Sequence, residues 1–571
     1  MCSAAESHAR LPCLPSDLAQ KIFHHLSMKD VCNASQASQS LWNITCQLSS
    51  LELFVNSADP IITTSFLSFL RRRSSKGLRI DRLSIHFPPT SVRTAELGQV
   101  LLSQLADIVA TCSSTLHHLS LSIFKLAGRY VPVPSSSATE YNRLLAAICA
   151  CNQLRSLVLR PLLDNARLPS ESSLLQIFVA FLPELRVLLF QTATGLEEVL
   201  NIFKGEVIAD LAAKNDPGLQ LLLMDVSTIP ENFALPKSLR YLFLSNEYNF
   251  HRGQPYQLLG SLCNLEELYL VGFPGRHSEA WQFNAALLQT YEKLRIAVVD
   301  YYGAPFGLVG TALLPSLELL ALPGMIPSCA TTTAETCAHT PVKLKCPKLK
   351  EVIFSCESEE DIPLLELLLS EGAPELETIQ VAVDCERRAD HSDPFLHLWR
   401  ALARSSSLRN LKIIFRNYQV QDFDQQVQMA LQGAALVEDM CLPRLETLEL
   451  FSFTNDGGGP SFQLGSPLAH QQGAWGVCTE IGSLVAVGAL PSLKQAHLYP
   501  GSDETGNALV GPGPRLDAAP HVKSFFLPQP DGWQDGNLTW TRPSHLDAEL
   551  QCRVLAALTS IHMKQSWENC L

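Results

Sequence analysis

The 571-residue sequence has no uninterrupted apolar run of about 18 residues. Its best stretch, Ser173 to Phe190, is broken by Pro183, Glu184 and Arg186, so no membrane span is expected. The opening residues lack a basic start followed by an apolar block, so no secretory signal is expected. Charge is scarce at 17%, and its balance is acidic: 43 Lys plus Arg against 56 Asp plus Glu, a net charge of −13. That balance argues against a dedicated nucleic-acid binder. The 17 cysteines follow no spacing rule, and reduced thiols in small core sites are expected, as in a cytoplasmic or nuclear protein. Cys329, Cys337, His339 and Cys346 match no zinc-finger spacing. Gly457-Gly458-Gly459 runs into Pro460 with no Lys, which reads as a turn and not a phosphate loop. No Ser/His/Asp or Cys/His signature appears, so no catalytic residue, metal or cofactor is expected.

What the sequence has in quantity is aliphatic side chains in a fixed pattern. An aliphatic residue, two variable residues, an aliphatic residue, one variable residue and an aliphatic residue recur sixteen times. Clear copies include Leu116/Leu119/Leu121, Leu154/Leu157/Leu159, Leu239/Leu242/Leu244, Leu265/Leu268/Leu270 and Leu445/Leu448/Leu450. Weaker copies are Leu48/Leu51/Leu53, Ile80/Leu83/Ile85, Leu493/Ala496/Leu498 and Val522/Phe525/Leu527. The mean period is about 32 residues, with irregular steps. The last two aliphatic residues of each copy lie two apart and so share one face of a strand. Several intervals carry helical spacing: 96–112, 139–149, 172–182, 196–212, 361–371 and 423–437. Strand then helix, repeated, stacks as a curved α/β solenoid with a parallel sheet on its concave side. An ordinary doubly wound α/β domain would alternate the same elements, but would not repeat one triplet sixteen times.

This pattern resembles the leucine-rich repeat proteins. The Asn or Cys that the family often places eight residues after the first Leu is missing here; the positions hold Phe124, Leu162, Ala193 and Ser227, among others. The turns leaving the strands must therefore be satisfied in another way. Gly-, Pro- and Ser-rich inserts interrupt the array near 323–340, 454–482 and 500–520, with disorder the first expectation for the last two. Leu546, Leu550, Val554, Leu558 and Ile561 stand at helical spacing, so 546–571 is expected as a capping helix.

Residues 14–46 fall outside the repeat. Pro15, Ser16 and Asp17 open a helix, and Leu18, Ile22, Phe23 and Leu26 follow at helical spacing. A second short helix begins near Met28, and a third turn ends at Leu41 and Trp42. Three short helices bury too little core to stand alone. The segment resembles the F-box at Leu14-Pro15, Ile22, Leu26, Asp30-Val31, Ala37-Ser38 and Trp42. The resemblance implies docking onto the Skp-type adaptor of a cullin ubiquitin ligase. It places Leu14, Pro15, Leu18, Ile22, Leu26 and Val31 against the adaptor, with Trp42 packing the helices together. An F-box before leucine-rich repeats implies a non-catalytic substrate receptor. The alternative is an interaction scaffold whose front helices only cap the first repeat.

In each expected strand the residues flanking the second aliphatic point to the concave face. Near the middle of the array they are apolar: Val187, Leu189, Leu221, Leu223, Tyr241, Phe243, Tyr269, Ile296 and Val298 among them. An open apolar patch marks an interaction site, so these are the expected target-binding residues, with the aromatics as anchors. Arg71-Arg72-Arg73 with Lys76 is expected to be a solvated basic loop.

Overall fold

The computed structural model describes residues 28–37, 42–43, 45, 48–54, 60–87, 95–123, 137–160, 171–190, 211–213, 216–225, 235–245, 262–274, 282–284, 291–302, 307–309, 311–322, 343–356, 365–366, 368–384, 394–417, 431–432, 434, 437, 440–454, 479–499, 511–512, 516 and 519–526. The chain forms two compact units, residues 1–200 with 204–224, and residues 201–203 with 225–571.

All sixteen aliphatic triplets lead into strands. In the first unit they are β1 (Ser50–Phe54), β2 (Arg82–Phe87), β3 (His118–Ile123), β4 (Ser156–Arg160), β5 (Val187–Phe190) and β6 (Leu221–Asp225). Each pairs in parallel with the next, and the register puts Leu51, Leu83, Leu119, Leu157, Leu188 and Leu222 in one row. All six are buried. A Leu removed from water contributes roughly 1.5–3 kcal/mol, but only if a neighbouring repeat covers it. The register is therefore the condition for the burial.

Helices α1 (Met28–Ala37), α2 (Pro60–Ser74), α3 (Ala95–Cys112), α4 (Ser137–Cys149) and α5 (Glu171–Phe181) belong to this unit. The last three match the helical intervals read from the sequence. Helix α2 does not, because its apolar spacing was masked by the following basic cluster. Its buried Phe66, Phe69, Leu70 and Arg73 recur at helical spacing. The helix ends at Gly77, whose φ of +67° suits glycine alone. There Gly77 N–H donates to Ser74 O and Leu78 N–H to Arg73 O, a Schellman cap. Asp107 of α3 links its neighbours, receiving Arg143 of α4 and Arg71 of α2.

The second unit continues with β7 (Tyr241–Ser245), β8 (Glu267–Pro274), β9 (Gln282–Asn284), β10 (Ile296–Tyr302), β11 (Gly307–Val309), β12 (Thr311–Leu313) and β13 (Leu319–Leu322). It goes on with β14 (Lys343–Lys345), β15 (Glu351–Cys356), β16 (Thr378–Asp384), β17 (Asn410–Asn417), β18 (Thr447–Thr454), β19 (Gln495–Tyr499), β20 (Gly511–Pro512) and β21 (Lys523–Phe526). The triplet strands pair in parallel in the order β7, β8, β10, β13, β15, β16, β17, β18, β19, β21. Short strands β9 with β11, and β12 with β14, form two side ladders. Helix α6 (Pro394–Leu402) buries Leu398, Trp399, Ala401 and Leu402 completely. Residues 479–486 are helical and bury Ile481 and Leu484, so the end of the 454–482 insert is ordered. The remaining expected inserts fall largely, and the C-terminal helix wholly, outside the described residues. No helix among the described residues is long and apolar enough to cross a membrane.

One register departs from expectation. Ala496 of β19 pairs with Ser524 and His497 with Phe525, so the last copy stands one residue away from the frame Val522/Phe525/Leu527.

The missing Asn ladder is replaced by a backbone device. One carbonyl per repeat, on the residue after the first aliphatic, accepts two N–H groups from the next repeat. Ser49 O takes Asp81 and Arg82 N–H, Asp81 O takes His117 and His118, and His117 O takes Arg155 and Ser156. In the second unit Arg240, Glu266, Arg295, Glu318, Lys350, Glu377, Arg409 and Glu446 carry the equivalent carbonyls. Their side chains alternate in sign without exception. Arg240 grips Glu266 through two bonds of 2.8 and 3.0 Å, and Arg295 grips Glu318 at 3.0 and 3.1 Å. Lys494 Nζ reaches Glu446 at 2.7 Å. Hydrogen bonding and the field of its glutamates raise the Arg295 pKa, and Lys494 lowers that of Glu446. Glu318→Arg would set three positive charges on adjacent repeats. It is expected to cost about 1 kcal/mol at low ionic strength and less at high salt. Denaturant unfolding at the two salt levels checks this.

Candidate functional site

Of the residues that the F-box resemblance set against an adaptor, Leu14, Pro15, Leu18, Ile22 and Leu26 lie outside the described residues. Val31 is described, on α1, and its exposure is 1%. It is an interior residue of the module, not an open contact surface, because α1 packs against α2 and β1 of the first repeat. Trp42 is buried as expected, and its partners lie in the first repeat as well as the front module. Its ring meets Phe69 of α2 edge-on with centroids 6.0 Å apart, and the Arg72 guanidinium sits 3.7 Å over it. Lys76 Nζ approaches the same ring at 5.2 Å.

Arg73 completes this joint. It is 0% exposed, and its guanidinium donates to the carbonyls of Thr45, Leu48 (2.7 Å) and Arg79 (3.3 Å). Arg72 Nη2 donates to Ser35 O of α1 at 2.9 Å. Thr45 Oγ1 in turn donates to Trp42 O at 2.8 Å. The expected solvated basic loop is therefore a helix end, where Arg71, Arg72 and Lys76 are exposed and Arg73 alone is buried. The signal in the sequence was the recurrence Phe66, Phe69, Leu70, Arg73, in which the arginine occupies a core position.

The expected open apolar patch is corrected by the structure. Val187, Leu189, Leu221, Leu223, Phe243, Tyr269, Ile296 and Val298 are only 0–2% exposed. Tyr241 alone is half-buried. Phe243 stacks on Tyr269 at 5.9 Å, and Tyr269 Oη donates to Glu267 Oε2 at 2.7 Å. The aromatic anchors thus spend their contacts on the protein itself. Strands β5 and β13 are buried at every position, on both faces. Their sequences, VLLF and LLAL, are continuous apolar runs of the kind that parallel strands covered on both sides carry.

The strand face opposite the aliphatic rows does carry polar groups near the ends of the array. In the first unit, Arg82, Ser84, His86, His118 and Ser120 are exposed or half-buried, with His86 Nε2 3.0 Å from Glu52. Burial and the neighbouring Arg82 push His118 down to about 4, so it stays neutral at physiological pH. In the second unit the same face runs Gln380, Lys412, Glu449, His497 in direct register. His497 Nδ1 lies 3.4 Å from Glu449 Oε1. Lys412 is lowered to about 7 by burial, against the opposing pull of Glu449 and Glu351. The strand alternation places Gln380, Lys412 and Glu449 at the polar end of this face in the sequence already, but does not reach His497.

Nothing among the described residues has the make-up of a reaction centre. The buried thiols of Cys32, Cys112, Cys151 and Cys346 are all pushed up by desolvation, away from reactivity. No cluster of metal-ligating side chains occurs among the described residues.

With this geometry in view, the comparisons with known proteins add two findings. An F-box domain matches residues 11–45. Among solved structures, the chain is similar to one from a crystal structure of the Rad7 and Elc1 complex in yeast, with 14% identity and a TM-score of 0.27. That likeness covers 79% of this chain and 90% of the other. No curated protein matches the chain.

Two outcomes test the side-chain roles. Arg73→Met strands the buried carbonyls of Thr45 and Leu48 and the part-buried one of Arg79, and is expected to cost about 2–3 kcal/mol, whereas Arg71→Met costs less than about 0.5 kcal/mol. Thermal unfolding of the two variants checks this. Because the folded pKa of Lys412 lies below its unfolded value of 10.5, the unfolded state binds more protons between the two values. Stability is therefore expected to rise with pH from about 7 towards 10.5. Lys412→Met removes that rise, measured as the unfolding midpoint across this pH window.

Proposed function

We propose that this protein is the substrate-recognition subunit of an SCF-type cullin ubiquitin ligase. The F-box holds a Skp-type adaptor, and through it the cullin, while the leucine-rich repeats hold a target protein. The observation that carries the reading is the F-box at residues 11–45 placed directly before sixteen aliphatic repeats. The role is non-catalytic: the receptor raises the effective concentration of a target lysine beside the transferring enzyme, and needs no reactive group of its own. A cytoplasmic or nuclear setting, without nucleic acid or membrane as partner, belongs to the same proposal.

A second reading has a specific observation behind it. Helix α1 and residues Trp42, Thr45 and Leu48 are fastened onto α2 through Arg72, Arg73 and the Trp42 ring, as the cap of a repeat array would be. On that reading the protein is an interaction scaffold without a ligase. Co-purification with a Skp-type adaptor separates the two. Leu14→Ala with Pro15→Ala should abolish adaptor capture while the unfolding midpoint stays unchanged. Wild-type protein that captures no adaptor leaves the scaffold reading.

A further inference from the structure

Among the described residues of the first unit, the strand face opposite the aliphatic rows is open over β1 to β3 and closes at β4. Arg82 is exposed, and Ser84, His118 and Ser120 are half-buried, whereas Ser156 and Val158 are 3% and 7% exposed and Val187 and Leu189 are fully covered. On the open part, β2 and β3 set four polar side chains in a square. Arg82 stands level with His118, and Ser84 with Ser120. Neighbouring strands lie about 4.8 Å apart, and alternate residues about 7 Å apart along a strand. One small group lying over the square is therefore within reach of all four.

The surroundings of the square are paired. His86 Nε2 lies 3.0 Å from Glu52, His117 Nδ1 lies 3.6 Å from Asp81, and Arg155 donates to Ala212 O at 3.2 Å. The side chains of Arg82, Ser84, His118 and Ser120 have no hydrogen-bond or ion-pair partner among the described residues. In a chain with a net charge of −13, an unpaired arginine on a rigid, open sheet is a binding group already in position.

The chemistry of the four narrows the ligand. A guanidinium only donates, and hydroxyls and a neutral imidazole can donate as well, so the ligand offers acceptors. A cation would be repelled by Arg82. A doubly charged phosphate would outweigh the one unpaired cation and meet Glu52, which stands level with Ser84 on the adjacent strand. A carboxylate fits: one charge, two planar oxygens that a guanidinium takes as a fork, and further lone pairs for the hydroxyls. The open face runs on to β1, where Ser50 is half-buried and Glu52 exposed, so a chain has room to continue past the square.

We propose that Arg82, Ser84, His118 and Ser120 bind the side-chain carboxylate of a Glu or Asp in an extended segment of the target protein. Arg82 takes both carboxylate oxygens, Ser84 and Ser120 donate their hydroxyls to the remaining lone pairs, and His118 donates its ring N–H to the adjoining main chain. This rests on the reading of the repeats as the target-holding half and is independent of the ligase half.

The test uses the full chain and fluorescent nonapeptide pools of Ala, Ser, Gly, Asn and Gln around a central Glu, acetylated and amidated at their ends. Four matched pools carry a central Gln, a central Lys, a central phosphoserine, or a central Gln with a free C-terminal carboxylate. The Glu pool is expected to bind, and the Gln and Lys pools to bind about tenfold or more weakly. Arg82→Gln should weaken the Glu pool by a similar factor, and Ser84→Ala with Ser120→Ala by about threefold or more. These side chains lie on the open face without partners, so the unfolding midpoints should stay unchanged. Equal binding of the Gln pool, tighter binding of the phosphoserine pool, equal binding of the free-carboxylate pool, or unchanged affinity in Arg82→Gln overturns the proposal. Failure of every pool to bind overturns it too. Binding of the Glu pool without adaptor capture removes the ligase reading alone. Adaptor capture without peptide binding removes this site alone.

Discussion

The structure depends on one repeated backbone contact. Among the described residues, a single carbonyl just before most of the triplet strands accepts two N–H groups from the next repeat along the chain. The contact fixes where each strand starts relative to the last, and so fixes the register of everything downstream. Register decides burial here, because a slip of one residue turns a whole strand's side chains to the opposite face. The aliphatic rows are apolar enough to drive stacking, but they would accept several registers. The doubled carbonyl bond, made before the first strand residue, selects one. It also takes over the work of the Asn ladder that this sequence lacks.

The alternating charges in the second unit act on the same point. From Arg240 to Glu446 each sits on the residue that supplies the carbonyl, so the correct stack there sets unlike charges on neighbouring repeats and a skipped repeat sets like charges on them. Surface ion pairs add little energy singly. Their value here is discrimination between neighbours that are otherwise alike in sequence. The array has steps of unequal length, so loop length cannot enforce the order of stacking, and the side-chain code complements the backbone contact.

Much of this was legible in the sequence. The triplet Leu265/Leu268/Leu270 predicts β8 because only a strand puts the last two on one covered face. The spacing within 96–112 predicts α3 equally well. Three things were not legible. The alternation of side chains tells which way Phe243 and Tyr269 point, but not whether anything lies over them, and the structure finds them covered. The run Arg71-Arg72-Arg73 looks like a solvated cluster until helix α2 is in place, when the third arginine falls on the apolar side. The last triplet was misplaced by one residue because Val522 and Phe525 fit the aliphatic pattern better than the pairing of Ser524 with Ala496 that the ladder imposes. Local pattern found the elements; cover and register needed the neighbours.

The joint around Arg73 bears on how the front module is held to the first repeat. A short helical module with little core of its own has two sources of order: a partner, or the domain behind it. Here the second is already in place. The guanidinium of Arg73 is buried among carbonyls on both sides of the junction, and Trp42 meets Phe69 edge-on and carries the Arg72 guanidinium over its face. Each contact is lost if the module swings away, and the buried charge would then lose the acceptors that replace its hydration. The junction is thus held by polar bonds that demand exact geometry as well as by apolar contact that tolerates sliding. Whatever the front helices grip is accordingly held at a set orientation to the first repeats, and the same bonds serve a cap and an adaptor holder alike.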